Sequence, residues 1–269
     1  VNGATDCAIE GVAFDGNASK ANGAVHVGGN ARTVVLRDLT ATNFRYFGIR
    51  LIDSSFITLD RITLTNTGFE WAKDASTPFP DGGSLGALGV HHVADSTFTD
   101  LTVSSTAAHG YGMKLGSIDR CVFTRCQFDM FPWQSWMANP GTLNPGNFDF
   151  EIHGGHVRQT TFRYCRFTAT VSVMGGSGAL YDDVDYSAHF HHNLFDMKNG
   201  AYGMEVGTDK MVVDHNWFRN TWTALQNYGD QSTRIRDLAV FNNVVENLSM
   251  RFVGLRGRVE NLRVFGNTV

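Results

Sequence analysis

Several features that define common protein classes are scarce or missing in this 269-residue sequence. Its four cysteines are too few for a disulfide framework and have no CxxC spacing of the kind that binds metal ions. No segment approaches the ~18 apolar residues of a membrane-spanning helix. With a net charge of -4, the chain offers no basic stripe for nucleic acid. We therefore expect neither a membrane nor a nucleic acid among its partners.

Glycine and phenylalanine are abundant instead, with 29 and 20 residues respectively. Phenylalanine favours β-strands and glycine favours tight turns, so this combination suits many short strands better than helices. The hydrophobic fraction of 42% and the charged fraction of 18% are ordinary. The length is sufficient for one large domain, and we expect residues 1–269 to form a single all-β domain.

A short motif recurs along almost the whole chain. In its clearest copies an asparagine or a cysteine is followed, two residues later, by an apolar residue. Where no insertion intervenes, successive copies lie 23 to 28 residues apart. The repeated positions, including three earlier and less regular copies, are Asn17, Asn43, Asn66, Cys126, Cys165, Asn193, Asn216, Asn243 and Asn267.

A repeat of this length without helical periodicity predicts a β-solenoid, in which each coil buries its apolar face by stacking on its neighbours. Stacked asparagine side chains would hydrogen-bond to one another and to the turn backbone, forming a buried polar ladder. Cys126 and Cys165 would occupy two positions of this ladder. At ~4.8 Å between coils they are either two buried thiols, which is the favoured interpretation, or a disulfide.

The pattern resembles the right-handed parallel β-helix of the pectate-lyase-like superfamily, and the resemblance covers essentially the whole chain. It implies three strands per coil, an asparagine/cysteine ladder at the short second turn, and about nine to ten coils. It also implies that the strand after the third turn lines a substrate groove. Lyases, hydrolases, epimerases, transferases and phage tailspikes share this architecture, so the resemblance does not specify a reaction.

The groove strands can be placed on this frame, because apolar residues bracket one outward position in most of them. They are predicted at 24–27, 48–53, 89–94, 112–116, 148–153, 172–175, 203–207, 224–228 and 252–256. The outward positions form a column of His26, Arg50, His92, Lys114, Glu151, Ser172 or Val173, Glu205 and Gln226. Such a column is richer in ionisable groups than a merely solvated strand face requires.

The strand at 148–153 alternates apolar and ionisable residues strictly. This alternation predicts that its apolar side chains face inward while Asp149, Glu151 and His153 line the groove. Asp149 and Glu151 would be separated by roughly 6.6 Å along the strand, and Glu151 and Glu205 by roughly 9.6 Å across two coils. Both distances are near the ~6.5 to 9.5 Å carboxylate separation of inverting glycosidases. The alternative is a solvated strand whose acids pair with Lys114 and Arg158.

A cation also belongs to the predicted groove. Lys114, one coil from Glu151, forms a salt bridge with it, holds a substrate carboxylate or sulfate, or acts as the base of a β-elimination. Arg50, His92 and His153 are expected to share the binding role, and Gln226 completes the column of expected substrate contacts.

Two insertions precede groove strands and are rich in aromatic residues. Residues 69–88 contain Trp71, and residues 129–146 contain Trp133 and Trp136. Indole rings suit the C–H faces of sugars, so these residues are expected to contact the substrate. A third insertion at 176–187 is expected to form the opposite wall of the groove.

Metal binding is not expected. The run from His189 to His192 lies remote from the predicted groove column and directly before a ladder asparagine, which argues against a metal cluster. Calcium coordination by Asp149 and Glu151 remains an alternative, although no further acid is placed beside them. No cofactor is therefore expected, with calcium possible.

The sequence as a whole predicts a polysaccharide-degrading enzyme. A glycoside hydrolase is the leading interpretation, with Asp149, Glu151 and Glu205 as candidate acid and base. The alternatives are a polysaccharide lyase with Lys114 as base, and a non-catalytic carbohydrate-binding or structural solenoid of the tailspike or adhesin type. The protein is expected to be secreted, either extracellular or periplasmic. Because solenoid ends need capping, we also expect a segment of a longer chain or end-to-end stacking with a partner.

Overall fold

A computed structural model describes residues 1–17, 21–67, 86–104, 113–129, 148–153, 156–174, 178–197, 202–227 and 234–269. For residues 114, 148–153, 174, 178 and 179 the description covers the backbone alone. Within these ranges the protein is all-β, as the composition predicts, with a single turn of 3-10 helix at Gly178–Tyr181. No helix in the described ranges is long and apolar enough to cross a membrane.

The strands are short and follow one another closely. In chain order they are β1 Thr5–Glu10, β2 Ala13–Asp15, β3 Gly23–Val27, β4 Arg32–Thr42, β5 Phe47–Ser55, β6 Thr58–Thr65, β7 Leu88–Ala94, β8 Thr97–Ser104, β9 Met113–Leu115, β10 Ile118–Asp119, β11 Val122–Thr124, β12 Gln127–Asp129, β13 Phe148–His153, β14 Val157–Arg158, β15 Thr160–Arg163, β16 Arg166–Phe167, β17 Thr170–Met174, β18 Ala188–His191, β19 Leu194–Asp196, β20 Met204–Val206, β21 Val212–Asp214, β22 Trp217–Arg219, β23 Thr223–Gln226, β24 Arg234–Arg236, β25 Ala239–Phe241, β26 Val244–Glu246, β27 Arg251–Gly254, β28 Arg258–Glu260 and β29 Arg263–Phe265.

Parallel pairing joins these strands into one large sheet. Most strands pair with their equivalents one repeat earlier and one repeat later, as in the series β11–β15–β18–β21–β25–β29. Every pairing found among the described residues is parallel, and only β24 and β28 form a separate pair. Parallel pairing between successive repeats is consistent with a β-solenoid.

We call each repeat of the sheet a layer. Phenylalanine rings stack on one another from layer to layer inside the core. Phe98, Phe123, Phe162 and Phe190 occupy aligned positions, with successive ring centroids 4.2, 4.6 and 4.4 Å apart. A second stack runs through Phe128, Phe167, Phe195 and Phe218 at 5.4, 5.1 and 4.5 Å. All eight rings are fully buried. The high phenylalanine content therefore has a structural cause, since a repeat places the same side chain against itself in successive layers.

Buried asparagines stack in the carboxy-terminal layers. The Oδ1 atom of Asn216 accepts hydrogen bonds from the backbone N and the Nδ2 atom of Asn193, at 2.9 and 3.0 Å. Asn243 accepts in the same way from Asn216, and Asn267 from Asn243. Each Nδ2 atom also donates to a carbonyl oxygen of the preceding layer, such as Phe190 O at 2.9 Å from Asn216. The buried amides thus have partners for both their oxygen and their nitrogen atoms.

Cys126 and Cys165 continue this position toward the amino terminus. Their sulfur atoms lie 3.5 and 3.8 Å from the carbonyl oxygens of Phe98 and Phe123, the equivalents of the asparagine acceptors. The thiol is a weak donor, so it fills the place of an amide without its full set of bonds. All four cysteines of the chain are free thiols, as the favoured interpretation held.

The earlier part of the predicted ladder is wrong. The strand register aligns Leu39, Ile62 and Leu101 with Cys126 and hence with the asparagines. Asn43 and Asn66 lie instead at the following turn, in the left-handed backbone conformation, with φ of 61° and 48°. The turn that holds the stacked asparagines and the following turn repeat at the same interval along the chain, so sequence spacing does not distinguish them. Asn17 belongs to the same following turn, where it is exposed and has a φ of 51°.

Candidate functional site

The predicted groove strands all occur, and they pair in one continuous series. They are β3, β5, β7, β9, β13, β17, β20, β23 and β27, each paired in parallel with the next. The register of this series defines a row of equivalent positions, which we call the groove column. It consists of His26, Arg50, Gly89, Lys114, Glu151, Ser172, Glu205, Gln226 and Gly254.

The register corrects one predicted member of the column and chooses between two others. Gly89, not His92, lies between Arg50 and Lys114. His92 lies at the end of the same strand, in the left-handed conformation with φ of 51°, and its Nδ1 is 3.0 Å from Asp53 Oδ1. In the later layers, Ser172 rather than Val173 pairs with Glu205.

Strand β13 departs from the strict alternation expected of it. Phe148 pairs with Thr170 and Phe150 with Val171, so Asp149 is an extra residue in a β-bulge. Glu151 pairs with Lys114 on one side and with Ser172 on the other. A bulge interrupts the regular alternation of faces and is common next to active sites. Asp149 therefore does not occupy the column position two residues from Glu151 that an unbroken strand would give it.

Glu205 is the described carboxylate of the column, and it is enclosed. Its residue is 7% exposed, and its Oε1 accepts a hydrogen bond from Gln226 Nε2 at 3.1 Å. The Tyr202 hydroxyl lies beside both groups. Burial, and then the negative charge of Glu205, raises the pKa of Tyr202, while its hydrogen bond with Gln226 acts in the opposite direction. A carboxylate, an amide and a phenol are thus close together in one partly buried cluster, which we call the Glu205 cluster. Polar groups of these kinds are usual in ligand pockets.

Two stacked aromatic rings lie at the edge of the Glu205 cluster. The rings of Tyr202 and Trp222 are stacked, with centroids 5.5 Å apart and planes 15° from parallel. Both residues are half-buried. The Thr170 hydroxyl donates to the Tyr202 carbonyl oxygen at 3.0 Å, which ties the pair to the neighbouring layer. Neither ring is among the site residues predicted from the sequence, although each lies one or two residues before a groove strand, a placement that is a usable signal.

Arg50 lies in the groove column but is not an open surface cation. The residue is only 6% exposed, and its guanidinium lies 6.0 Å from the centroid of the Phe47 ring. His26, its neighbour in the preceding layer, is exposed. Buried guanidinium groups orient carboxylates and phosphates more rigidly than surface lysines do.

Several predicted site residues lie outside the described residues or are placed by backbone alone. Trp71, Trp133 and Trp136 lie outside the described ranges. For the side chains of Lys114, Asp149, Glu151 and His153, the register fixes the position on the sheet and nothing further.

The third insertion is partly described, and two of its acids have basic partners. Asp183 pairs with Arg158 Nη2 at 2.7 Å, and Asp182 lies 3.4 Å from Arg236 Nη2. Through its bond to Asp183, Arg158 holds the insertion against the neighbouring layers. Tyr181, on the short helix, is completely buried and anchors the segment.

The histidine run lies on a different strand series from the groove column, as predicted. The two carboxylate oxygens of Asp214 contact His189 Nε2 at 2.5 Å and His215 Nδ1 at 2.6 Å. His192 stacks on His215, with centroids 5.1 Å apart. In the part of the chain that the structure describes, no group of three histidine, cysteine or acidic residues is arranged to hold a metal ion.

Comparisons with known proteins reach the fold but not a family. No family model matches the chain, and no curated protein matches it. The chain is similar in structure to PfbA, a surface adhesin of Streptococcus pneumoniae, with a TM-score of 0.55, 8% identity, and coverage of 98% of this chain and 71% of that chain. An alginate lyase from Paenibacillus sp. str. FPU-7 also matches, at a TM-score of 0.30 and 14% identity over 97% of this chain and 93% of that one. The adhesin similarity supports a β-helix-type fold.

Proposed function

We propose that the protein is a right-handed parallel β-helix that binds an extended glycan along the groove column and hydrolyses it. The observation that carries this proposal is the enclosed cluster of Glu205, Gln226 and Tyr202 on the column. A merely solvated strand face does not need a carboxylate at 7% exposure with an amide and a phenol around it. Hydroxyl-rich ligands are bound by this combination of groups.

Glu151 is the partner proposed for Glu205 in general acid and base chemistry. Glu151 and Glu205 are separated by one intervening strand, which corresponds to roughly 9.6 Å between backbones. Inverting glycosidases hold their two carboxyl groups ~6.5 to 9.5 Å apart, which leaves room for the attacking water. In this proposal Glu205 and Glu151 act as the acid and the base. Tyr202 and Trp222 present a ring face to a sugar beside them.

A lyase and a non-catalytic binding protein are the competing functions. Lys114 pairs with Glu151 in the column and would be the base of a β-elimination. The similarity to a surface adhesin is the observation in favour of binding without turnover. A protein of either type that acts on external glycans is secreted, which is the localisation we propose.

The test is a substitution that removes charge but keeps shape. Glu205→Gln is expected to reduce the cleavage rate of a hydrolysed polysaccharide by at least about 100-fold. The matched control is Glu246→Gln, an exposed glutamate on β26 outside the groove column, which is expected to leave the rate unchanged. Products are followed by reducing ends and by near-ultraviolet absorbance.

Each outcome of this test decides between the functions. Loss of reducing-end production in Glu205→Gln, with an unchanged melting temperature, supports the hydrolase. Absorbing unsaturated products identify a lyase and exclude hydrolysis. Unchanged activity of Glu205→Gln, or of Glu151→Gln combined with Asp149→Asn, excludes the respective carboxylates from catalysis. Binding of glycans without any product excludes the enzyme and supports the adhesin-like alternative.

A further inference from the structure

A polar cleft lies at the corner where strand β5 ends, away from the Glu205 cluster. It has a volume of about 520 Å³ and is lined by Asn30, Arg32, Asp53, Ser54, Ser55 and His92. This volume falls within the range of small-molecule sites. In the register, Arg50 at the near end of the groove column is five strand pairings from Glu205, which corresponds to roughly 24 Å. We call this feature the corner cleft.

Three successive layers build the corner cleft at the same turn. Asn30, Asp53 and His92 all adopt the left-handed conformation, with φ of 64°, 44° and 51°. The backbone N–H of Asn30 donates to the backbone carbonyl oxygen of Asp53 at 2.8 Å, and Asp53 Oδ1 lies 3.0 Å from His92 Nδ1. The turn therefore presents an amide, a carboxylate and an imidazole in a row, each on a backbone position fixed by the sheet. Such a row suits the adjacent hydroxyl groups of a sugar.

A cation and an aromatic ring complete the cleft. Arg32 Nε donates to Ser55 Oγ at 3.3 Å, and the guanidinium lies 5.7 Å from the centroid of the Phe56 ring. Among the described residues, no hydrogen bond engages the two terminal nitrogens of Arg32. These nitrogens form the planar pair of donors that matches a carboxylate. Phe56 is 49% exposed and offers an apolar face next to that pair.

One further group at the cleft lacks a partner. Ser54 lines the cleft, and its buried hydroxyl has no hydrogen-bond partner in the part of the chain that the structure describes. Buried polar groups without partners are rare in folded proteins and are commonly satisfied by water or a ligand. Ser54 pairs in register with Val93, a core residue that is 2% exposed, so its hydroxyl faces the interior rather than the cleft.

We propose that the corner cleft is a separate binding site for an acidic sugar, whose carboxylate pairs with Arg32 and whose hydroxyl groups contact Asn30, Asp53 and His92. The site binds one unit of a uronate-containing glycan and anchors the polymer without taking part in its cleavage. Binding at this site does not depend on Glu205, because none of its residues belongs to that cluster, whereas the anchoring role rests on the proposed function.

The proposal is tested by calorimetric titration of the whole chain with trigalacturonate, cellotriose and sodium acetate. Trigalacturonate is expected to bind at least about 10-fold more tightly than either of the others. Arg32→Gln is expected to weaken this binding about 10-fold, and Arg32→Lys, which keeps the charge but not the fork, by a smaller factor. The matched control is Arg263→Gln, an exposed arginine on β29, which is expected to leave the affinity unchanged.

The same titration in the Glu205→Gln variant separates this site from the groove. The Arg32-dependent binding is expected to persist there, whatever happens to glycan cleavage. Equal binding of cellotriose overturns the requirement for an acidic group, and equal binding of acetate reduces the cleft to a simple anion site. Unchanged affinity in both Arg32 variants, with melting temperatures like the parent protein, overturns the proposal.

Discussion

The same inward position of the repeat is filled differently at the two ends of the sheet. In the amino-terminal layers it holds Leu39, Ile62 and Leu101, all at most 2% exposed. In the carboxy-terminal layers it holds the asparagines that bond to one another from Asn193 onward. An apolar side chain at this position satisfies burial by packing, whereas an amide satisfies it only through a continuous row of partners. We therefore expect the apolar position to tolerate single conservative substitutions, whereas a substitution within the asparagine row leaves its neighbours without partners.

The exposed turn residue beside that position changes with it. In the amino-terminal layers, Arg61 is paired with Asp38, and Arg125 with Asp100, each through two hydrogen bonds. In the carboxy-terminal layers the equivalent residues are stacked imidazoles, which continue into Asn242. Opposite charges therefore bridge successive layers in one region, and rings bridge them in the other. The two regions should respond differently to polar substitution, to acid and to salt.

The largest effect is expected from interrupting the asparagine row. Asn216→Leu removes the acceptor of the Asn193 backbone N–H and the donor to the Phe190 carbonyl, leaving both groups buried without partners. We expect the free energy of unfolding to fall by about 3–5 kcal/mol. The control is Ile62→Leu at the equivalent amino-terminal position, which conserves volume and should cost less than about 1.5 kcal/mol. Denaturant midpoints measure both, and similar losses would contradict the distinction between the regions.

The stability cost of introducing an asparagine at this inward position should depend on the residues in the neighbouring layers. Leu101→Asn buries an amide next to Ile62, which offers no hydrogen-bonding side chain, and is expected to cost about 2–4 kcal/mol. Cys165→Asn places the same amide next to Asn193, whose Oδ1 already accepts from the Cys165 backbone N–H at 2.8 Å, so a change within about 1 kcal/mol is expected. Thermal unfolding compares the two variants. Equal losses would show that the row of asparagines cannot be extended.

Acid should weaken the imidazole-bearing region. Burial, together with the neighbouring His189, lowers the pKa of His191 from its ordinary value of 6.5 to about 4. The unfolded chain therefore takes up this proton at a higher pH than the folded chain does. The contribution of neutral His191 to the free energy of unfolding is complete above pH ~6.5. This contribution decreases as the pH falls toward ~4, by on the order of 1–2 kcal/mol. Denaturation midpoints against pH should be flatter for His191→Gln, and an unaltered profile would contradict the assignment.

The smallest effect is expected from the charged turns. The Arg125 guanidinium holds the pKa of Asp100 below its usual range, and the side chains of Arg125 and Asp100 are 57% and 39% exposed. Asp100→Asn should lower the melting temperature by roughly 1–2 °C at low ionic strength, because exposed pairs contribute little. The difference should vanish at high salt, where such pairs are screened. The same salt series on His192→Ala provides the comparison, since ring stacking should not respond to salt.

The sequence predicted the groove strands because their signal is local. Most of the nine have apolar residues at alternate positions, and all nine pair in series. The same reasoning failed at His92, because the column position in that layer is Gly89, which has no side chain to contribute to a pattern. It also failed at Asp149, since a bulge adds one residue without any change in composition.

The candidate site was predicted only in part, for related reasons. Glu205 and Gln226 were placed in the column by their flanking apolar residues, and they are indeed in contact. Tyr202 and Trp222 were not predicted as site residues, because stacking between residues 20 positions apart depends on how the layers superimpose. The corner cleft was equally hidden, since its residues come from three layers and share only an unusual backbone conformation.

The sequence by itself determined that this protein is an all-β repeat with a row of polar groups on one strand series, because period and alternation are written in neighbouring residues. Tertiary structure decided which turn each asparagine occupies, because two turns share one interval and only strand register separates them. It likewise decided which side chains meet, as at Glu205 and at the corner cleft, because those contacts join residues of different layers.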